Sequence, residues 1–164
     1  KSTFEFELLY EEEGNIKQIA EFIQNKVQKN LPGVTITLKS QPKKNRIELM
    51  KQHDFQLAIT RWGPDYADPT TYLNLMLEDN GYNYGLYTSK PYNDLMAKSG
   101  NEASVENRWQ DLKDAEKVML EDDAAVIPLY QVGGASLVRK SVSGIENHSV
   151  GVPYIYKNVV KAAK

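Results

Sequence analysis

The chain has 164 residues, 41% of them apolar, which suffices for one domain that buries most of the surface of its unfolded form. Its 20 Lys and Arg against 22 Asp and Glu give a net charge of -2, so composition provides no long-range attraction for nucleic acid or anionic lipid. The absence of cysteine excludes disulfides, thiolate zinc sites and cysteine nucleophiles, and leaves the compartment open.

The first sixty residues predict a strand, a helix, a strand, a helix and a strand. The strands are expected at residues 3–10, 34–38 and 55–60, and the helices at 16–29 and 42–52. The third strand is almost continuously apolar, which is typical of a strand buried on both faces. This order favours right-handed crossovers and a mostly parallel sheet flanked by helices, so the predicted fold class is α/β. We expect residues 1–164 to form a single domain.

The second half predicts helices and then strands. Helices are expected at residues 70–77, 91–97 and 105–120, the last with Ser104 as N-cap and with one apolar face, made of Trp109, Leu112, Ala115, Val118 and Met119. Residues 124–130 predict a strand, which Pro128 places at a sheet edge or brings to its end. Gly133-Gly134 separates it from residues 135–139 in a hairpin-like pair. No apolar run is long enough to span a bilayer and no leader precedes Lys1, so we expect a mature or truncated soluble piece.

The densest group of chemically capable side chains follows the third strand. Residues 61–70 read Arg-Trp-Gly-Pro-Asp-Tyr-Ala-Asp-Pro-Thr, at the carboxyl end of a strand, where α/β sheets bind ligands. Trp62 and Tyr66 can stack on apolar groups while a carboxylate binds a cation. Asp68 precedes a proline, so we expect it to cap a turn or helix. Asp65 could accept backbone hydrogen bonds or bind a ligand, and Trp62 could equally close the core.

Other chemistries receive little support. The chain has no GxGxxG, GxxxxGK or GxSxG motif, and His53 and His148 lack partners at metal-ligand spacing, so we expect no cofactor and no metal. The acidic runs 11–13 and 121–123 are expected to be solvated helix flanks. A glycoside-active enzyme that uses Asp65 with Glu78 or Asp79 stays open as an alternative, although the spacing is not specific for it.

A family resemblance covers nearly the whole chain. Residues 62–74, which read Trp-Gly-Pro-Asp-Tyr-Ala-Asp-Pro-Thr-Thr-Tyr-Leu-Asn, resemble the signature of the family 5 bacterial extracellular solute-binding proteins, the oligopeptide and dipeptide receptors of ABC importers. Further stretches are similar to that family's landmarks in the same order, at residues 55–59, 83–87, 91–95, 108–120 and 125–130.

The resemblance implies one lobe of a larger receptor, the second of two α/β lobes of the periplasmic-binding-protein type II kind that close on an extended peptide. It implies no enzymatic activity, an extracytoplasmic, lipid-anchored location, and three partners: an oligopeptide, the receptor's N-terminal lobe and a membrane permease. A receptor for a nickel complex, heme or sugar, or a peptide-pheromone sensor, are the alternatives within the family.

The same resemblance assigns the site residues. In members that bind oligopeptides, the aspartate at the position of Asp65 pairs with the ligand's α-ammonium group, and Trp62 would line a side-chain pocket. The backbone at Gly63 would pair with the peptide main chain, while Tyr66 and Tyr130 are candidates for the cleft. Arg61 departs from the family pattern, which often has a small residue there, and its cation could help or hinder ligand entry.

Overall fold

The computed structural model describes residues 3–162, and its first half contains the predicted alternation of strands and helices. Three parallel strands form one sheet in the order β2-β1-β3, which confirms the predicted α/β class with a parallel sheet. The bounds in this half are β1 Phe4–Glu11, α1 Ile16–Asn30, β2 Val34–Gln41, α2 Lys43–Lys51 and β3 Leu57–Ala58.

The sheet is held by its central strand. β1 pairs along its whole length with β2, from Phe4 opposite Val34 to Glu11 opposite Gln41. Its apolar end enters the core, where β1, α1, β2 and the residue after β3 contribute buried side chains, namely Leu8, Tyr10, Ile16, Ala20, Ile36 and Ile59. The apolar stripe of α1 packs against this cluster because its residues recur at helical spacing.

The third strand is shorter and more exposed than predicted. Only Leu57 and Ala58 pair with β1, and Leu57 is 37% exposed, so the expectation that residues 55–60 are buried on both faces is wrong. β3 is an edge strand that pairs on one side, and the Gln56 side chain accepts a hydrogen bond from Glu7 N at 2.7 Å. An edge strand keeps contact with solvent even when its sequence is apolar.

The chain divides into two compact units. One consists of the residues up to 62 together with 78–87, and the other of residues 63–77 together with 88 onward. The second unit contains α3 Thr70–Leu73, a 3₁₀ turn at Asn74–Met76, α4 Lys90–Asn101, α5 Val105–Lys117 and a π turn at Val118–Asp122. None of the helices within residues 3–162 has the length and apolar character that a bilayer crossing requires. The expectation of a single domain stays a prediction.

Helices α4 and α5 form the core of the second unit. Ser104 Oγ accepts a hydrogen bond from Asn107 N at 3.3 Å, which confirms the predicted N-cap of α5. Tyr92 of α4 is fully buried, and its hydroxyl donates to Leu73 O at 2.5 Å, which ties α4 to α3. The predicted apolar face of α5 is only partly covered: Leu112 is buried, whereas Trp109 is 45% exposed. Tryptophan is large and amphipathic, so it is seldom fully enclosed.

The strand and hairpin predicted for residues 124–139 do not form. This segment has no regular secondary structure, and none of its residues pairs with a strand in the described part of the chain. The tail instead forms two short antiparallel pairs, β4 Val142–Ser143 with β7 Val160–Lys161 and β5 Glu146–Asn147 with β6 Tyr154–Ile155. Gly144 joins β4 to β5 at a φ of 79°, and a Cβ there would lie 2.0 Å from Asn158 O, so only glycine fits.

Truncating the buried centre of β1 should destabilise the chain strongly. Leu9 is fully buried and lies opposite Lys39 of β2 and Ala58 of β3. We expect Leu9→Ala to lower the free energy of unfolding by about 2–5 kcal/mol through lost transfer free energy and a residual cavity. Urea unfolding followed by circular dichroism measures this, with Leu31→Ala, at a residue that is 54% exposed, as the matched control. Equal losses in the two variants would contradict the burial of Leu9.

Candidate functional site

The candidate loop starts at the carboxyl edge of the parallel sheet. β1 ends at Glu11, and the chain leaves β3 through Ile59, whose N–H donates to Leu9 O at 2.9 Å, before it reaches Arg61. Because parallel strands end at one edge, the end of β1 and the start of the loop lie side by side. The candidate loop therefore begins at the strand edge where α/β folds bind ligands, and the binding site itself stays a prediction.

A buried carboxylate fixes the first residue of the loop. Glu11 Oε1 lies 2.7 Å from Arg61 Nη2, an ion pair that is not aligned as a hydrogen bond, and Glu13 Oε2 lies 3.7 Å from the same nitrogen. The Glu11 side chain is 3% exposed, whereas that of Arg61 is 55% exposed. The expectation that Glu11 is part of a solvated acidic flank is therefore wrong. Two acidic side chains compensate the positive charge that Arg61 introduces.

A second arginine makes the burial of Glu11 tolerable. Arg46, from α2, is 4% exposed and places Nη2 at 3.4 Å from Glu11 Oε2. Its Nη1 contacts Thr60 Oγ1 at 3.2 Å and Met50 Sδ at 2.9 Å. A buried charge requires a close partner of opposite sign, and sequence alone gave no sign of this pair because the partners are 35 residues apart.

Within the first unit, Trp62 packs against Tyr82, which in turn packs against Tyr84. The Trp62 and Tyr82 ring centroids lie 4.8 Å apart at 64°, and those of Tyr82 and Tyr84 lie 6.1 Å apart at 74°, both edge-to-face. The Trp62 Nε1 atom is buried, and none of residues 3–162 accepts a hydrogen bond from it. His53 Nδ1 contacts Tyr84 O at 2.9 Å.

Tyr82 and Tyr84 were not predicted as neighbours of Trp62. The sequence carries no clear signal for this grouping, because residues 82–84 lie in a stretch of turns, where Tyr84 N donates to Tyr82 O at 2.8 Å, and not in a regular element. Tyr82 is 52% exposed, so this aromatic group, made of Trp62, Tyr82 and Tyr84, presents part of its surface to solvent.

Asp65, in the second unit, carries an uncommitted charge. The residue is exposed. Within residues 3–162, its carboxylate takes part in no hydrogen bond or ion pair. Its backbone is held in place, because Asp65 N donates to Thr71 Oγ1 at 2.9 Å. The neighbouring Tyr66 is 45% exposed, and its hydroxyl lies 3.2 Å from Thr70 Oγ1. The loop therefore fixes the main chain and leaves the carboxylate available.

Asp68 is committed to structure, as predicted. Its Oδ1 accepts hydrogen bonds from Thr70 N at 3.0 Å and from Thr70 Oγ1 at 2.7 Å at the start of α3. Arg108 of α5 binds both carboxylate oxygens, each at 2.9 Å, in the planar fork that suits a guanidinium. These hydrogen bonds, chiefly those from Arg108, hold the pKa of Asp68 well below its ordinary value, and the same pair raises the pKa of Arg108.

The remaining site residues are placed separately. Gly63 and Tyr130 belong to the second unit, as Asp65 and Tyr66 do, while Arg61 and Trp62 belong to the first. A Cβ at Gly63 would meet no atom within 4 Å, and Tyr130 is 55% exposed in the segment that lacks regular structure. Throughout residues 3–162, no group of three or more His, Asp or Glu side chains is arranged to hold a metal ion.

The chain is similar to solved structures of peptide-binding proteins. It matches the substrate-binding domain of an oligopeptide ABC transporter from Bacillus anthracis with a TM-score of 0.85 and 32% identity, over 99% of this chain and 32% of that one. Its match to Listeria monocytogenes OppA bound to peptide has a TM-score of 0.81 and 32% identity, over 99% of this chain and 31% of that one. Its match to the pheromone receptor PrgZ has a TM-score of 0.80 and 32% identity, over 97% of this chain and 30% of that one. The predicted type II lobe is confirmed.

The family follows from sequence comparison. Residues 1–84, about half of the chain, match the family described as bacterial extracellular solute-binding proteins, family 5 Middle. The dipeptide-binding protein DppE of Bacillus subtilis is 33% identical over 144 residues, which is 88% of this chain and 26% of that protein. The periplasmic oligopeptide-binding protein OppA of Salmonella typhimurium is 33% identical over 139 residues, which is 85% of this chain and 25% of that protein.

The chain belongs to the family 5 bacterial extracellular solute-binding proteins, which confirms the resemblance found in the sequence. This is a family of proteins that bind solutes and not of enzymes. The chain spans about a quarter of the length of the curated relatives it matches.

Neutralising Glu11 should destabilise the fold much more than neutralising its exposed neighbour. We expect Glu11→Gln to lower the free energy of unfolding by about 3–5 kcal/mol, because the buried Arg46 loses its counter-charge. Glu12→Gln is the control, since Glu12 is exposed and an amide oxygen can still accept from Ser40 Oγ; its effect should stay within about 0.5 kcal/mol. Chemical denaturation compares the two, and a small effect at Glu11 would contradict the buried pair.

The Asp68–Arg108 pair should make stability depend on acid pH. The pKa of Asp68 is lowered in the folded chain from 3.8, so the unfolded state takes up the proton first as the pH falls. The stabilisation is therefore complete above about pH 4 and is lost progressively below it. The difference in urea midpoint between the original chain and Asp68→Asn should be largest near neutral pH and should narrow in acid. If the difference in urea midpoint did not change with pH, the charge of Asp68 would not be the cause of the stabilisation.

Proposed function

We propose that this chain is one lobe of the substrate-binding component of an ABC importer for oligopeptides, and that it binds the amino terminus of the peptide. Support comes from the relatives, which are named as dipeptide-binding and oligopeptide-binding proteins. A solved OppA that is bound to a peptide has the same fold over 99% of this chain.

One observation carries the proposal: the different state of two carboxylates three residues apart. Asp68 is saturated by Thr70 and Arg108, whereas Asp65 is exposed and makes no hydrogen bond or ion pair through its carboxylate within the described part of the chain. An exposed carboxylate on a backbone that Thr71 already holds is suited to bind a cation from outside.

A peptide's α-ammonium group is the cation that fits this role. It occurs at one end of every unmodified peptide, so a carboxylate that binds it selects peptides without regard to their side chains. Charge-assisted hydrogen bonds of this kind are about twice as strong as neutral ones. We propose the remaining contacts for Trp62 in a side-chain pocket, for the backbone at Gly63 along the peptide main chain, and for Tyr66 and Tyr130 at the cleft wall.

Arg61 is proposed to act by position and not as a free cation. Its guanidinium is paired with Glu11 and Glu13, so it adds no uncompensated positive charge that would repel an ammonium group. Because Arg61 directly precedes Trp62, this pairing fixes where the binding loop leaves the sheet.

The lobe is proposed to work only with the rest of a receptor. A second lobe would close over the peptide, and the closed form would be recognised by a permease in the membrane, a population shift driven by the ligand's preference for that form. We propose an extracytoplasmic location with a lipid anchor on the complete receptor, and no catalytic activity. This location agrees with the periplasmic relatives.

A sensor of peptide pheromones is the second candidate. The structural match to the pheromone receptor PrgZ, at a TM-score of 0.80 and 32% identity, favours it specifically. Both candidate functions use the same peptide site. If deletion of the gene abolishes growth on peptides, the chain serves an importer; if it abolishes a transcriptional response to one peptide, the chain serves a sensor.

Removing the charge of Asp65 should abolish the preference for a free amino terminus. We expect the complete receptor to bind a peptide about 10–100-fold more tightly than its N-acetylated form, since a hydrogen bond between charged groups contributes about 1.5–3 kcal/mol. Asp65→Asn should bind both forms equally. Isothermal titration calorimetry measures the affinities, with Asp122→Asn, at an exposed carboxylate elsewhere, as the matched control. Equal affinities in the original receptor would remove the role given to Asp65.

A further inference from the structure

One asparagine of the first unit has the sequence and the surroundings for a spontaneous covalent change. Asn80 is the only asparagine among the 164 residues that a glycine follows. Asn80 is half-buried and Gly81 is exposed, so solvent reaches the peptide bond between them. Because glycine has no Cβ and an adaptable backbone, its nitrogen can approach the preceding side chain more closely than that of any other residue.

The turn at residues 80–83 folds the Asn80 side chain back over its own main chain. Tyr82 N donates to Asn80 Oδ1 at 2.8 Å, and Asn83 N donates to Asn80 O at 2.9 Å. Since Oδ1 reaches the nitrogen two residues along, the side-chain carbonyl carbon Cγ lies beside the nitrogen of the residue between, which is Gly81. The fold therefore holds close together the nitrogen and the carbon that would form a bond.

Both reacting groups are in a suitable state. Within residues 3–162, Gly81 N donates no hydrogen bond, so no acceptor has to be given up before this nitrogen attacks. The N–H of Tyr82 draws electron density from the Asn80 side-chain carbonyl, and it would stabilise the negative oxygen that forms when Cγ is attacked. The turn thus favours the approach of the groups and also the transition state.

We propose that Asn80 and Gly81 form a site of spontaneous deamidation and isoaspartate formation. Gly81 N loses its proton to water or hydroxide and bonds to Asn80 Cγ, the bond from Cγ to Nδ2 breaks, and Nδ2 takes up a proton and leaves as ammonia. Water then opens the resulting succinimide ring. Attack of water at Cγ gives aspartate, and attack at the main-chain carbonyl gives isoaspartate, in which the chain continues through Cβ and Cγ.

The change would reach the aromatic group through Tyr82. Isoaspartate lengthens the main chain by a methylene directly after Asn80, and the ring of Tyr82, two residues further on, has its centroid 4.8 Å from that of Trp62. Either product also adds a negative charge beside Glu78 and Asp79. Isoaspartate therefore changes both charge and backbone next to the aromatic group, whereas aspartate changes the charge alone.

Peptide mapping of the complete receptor by mass spectrometry, after incubation at mildly alkaline pH, tests the reaction. We expect Asn80 to deamidate at least about ten-fold faster than the exposed Asn30 and Asn101, which corresponds to a barrier lower by about 1.4 kcal/mol. Gly81→Ala is the matched control, because a Cβ there would meet no atom within 4 Å and the φ of Gly81 is not positive. This variant should fold unchanged and deamidate at least about ten-fold more slowly. Equal rates at the three asparagines, or an unchanged rate in Gly81→Ala, would overturn the proposal.

Fluorine NMR of the receptor labelled with fluorotryptophan tests the link to the aromatic group. The Trp62 signal is identified by its loss in Trp62→Phe. This signal should move further when isoaspartate accumulates than in freshly prepared Asn80→Asp, which has the added charge without the longer main chain. Equal shifts, or none, would show that the link is wrong. Neither measurement involves a peptide ligand, so a failed binding test at Asp65 leaves both unaffected.

Discussion

The buried carboxylate of Glu11 connects the sheet to the candidate site. It ends β1, which pairs with both neighbouring strands, and it contacts Arg46 from α2 and Arg61 at the start of the loop. A charge that is 3% exposed is stable only while its partners stay close. The carboxyl ends of β1 and β3 and the face of α2 are thereby held to one another, and the loop begins from a fixed point.

Within the loop, the two aspartates differ in role: Asp68 stabilises the fold, whereas the carboxylate of Asp65 stays unpaired. Asp68 uses all its capacity on Thr70 and Arg108, which anchors the start of α3 against α5. Asp65 contributes only its backbone N–H to the fold. Arg108 binds Asp68, and none of the described residues forms an ion pair with Asp65. Such a division gives a rigid loop together with an available negative charge, which is what a binding site for a cationic group requires.

Periodicity was sufficient to predict β1, α1, β2 and α2, since each of them packs against a neighbour close in sequence. The capping role of Asp68 was also predictable, because an aspartate before proline has few other local uses. The burial of Glu11 was not, since it depends on arginines 35 and 50 positions away. The segment 124–130 has a strand's pattern but lacks a strand's partner, so pattern alone predicted a structure that these residues cannot complete by themselves. For Asp65, sequence left two roles open, and the exposure of its carboxylate supports the ligand-binding role that we propose.

The segment 124–138, which has no charged side chain and no regular secondary structure, also affects how the isolated chain behaves at high concentration. Acidic residues 121–123 precede it and Arg139-Lys140 follow it. Such flanking charges usually keep apolar strands from sticking to one another. Here the two flanks have opposite signs, so they repel a copy that runs in the same direction but attract one that runs in the opposite direction. The same residues that protect against parallel stacking would therefore guide antiparallel aggregation, and added salt would weaken that guidance.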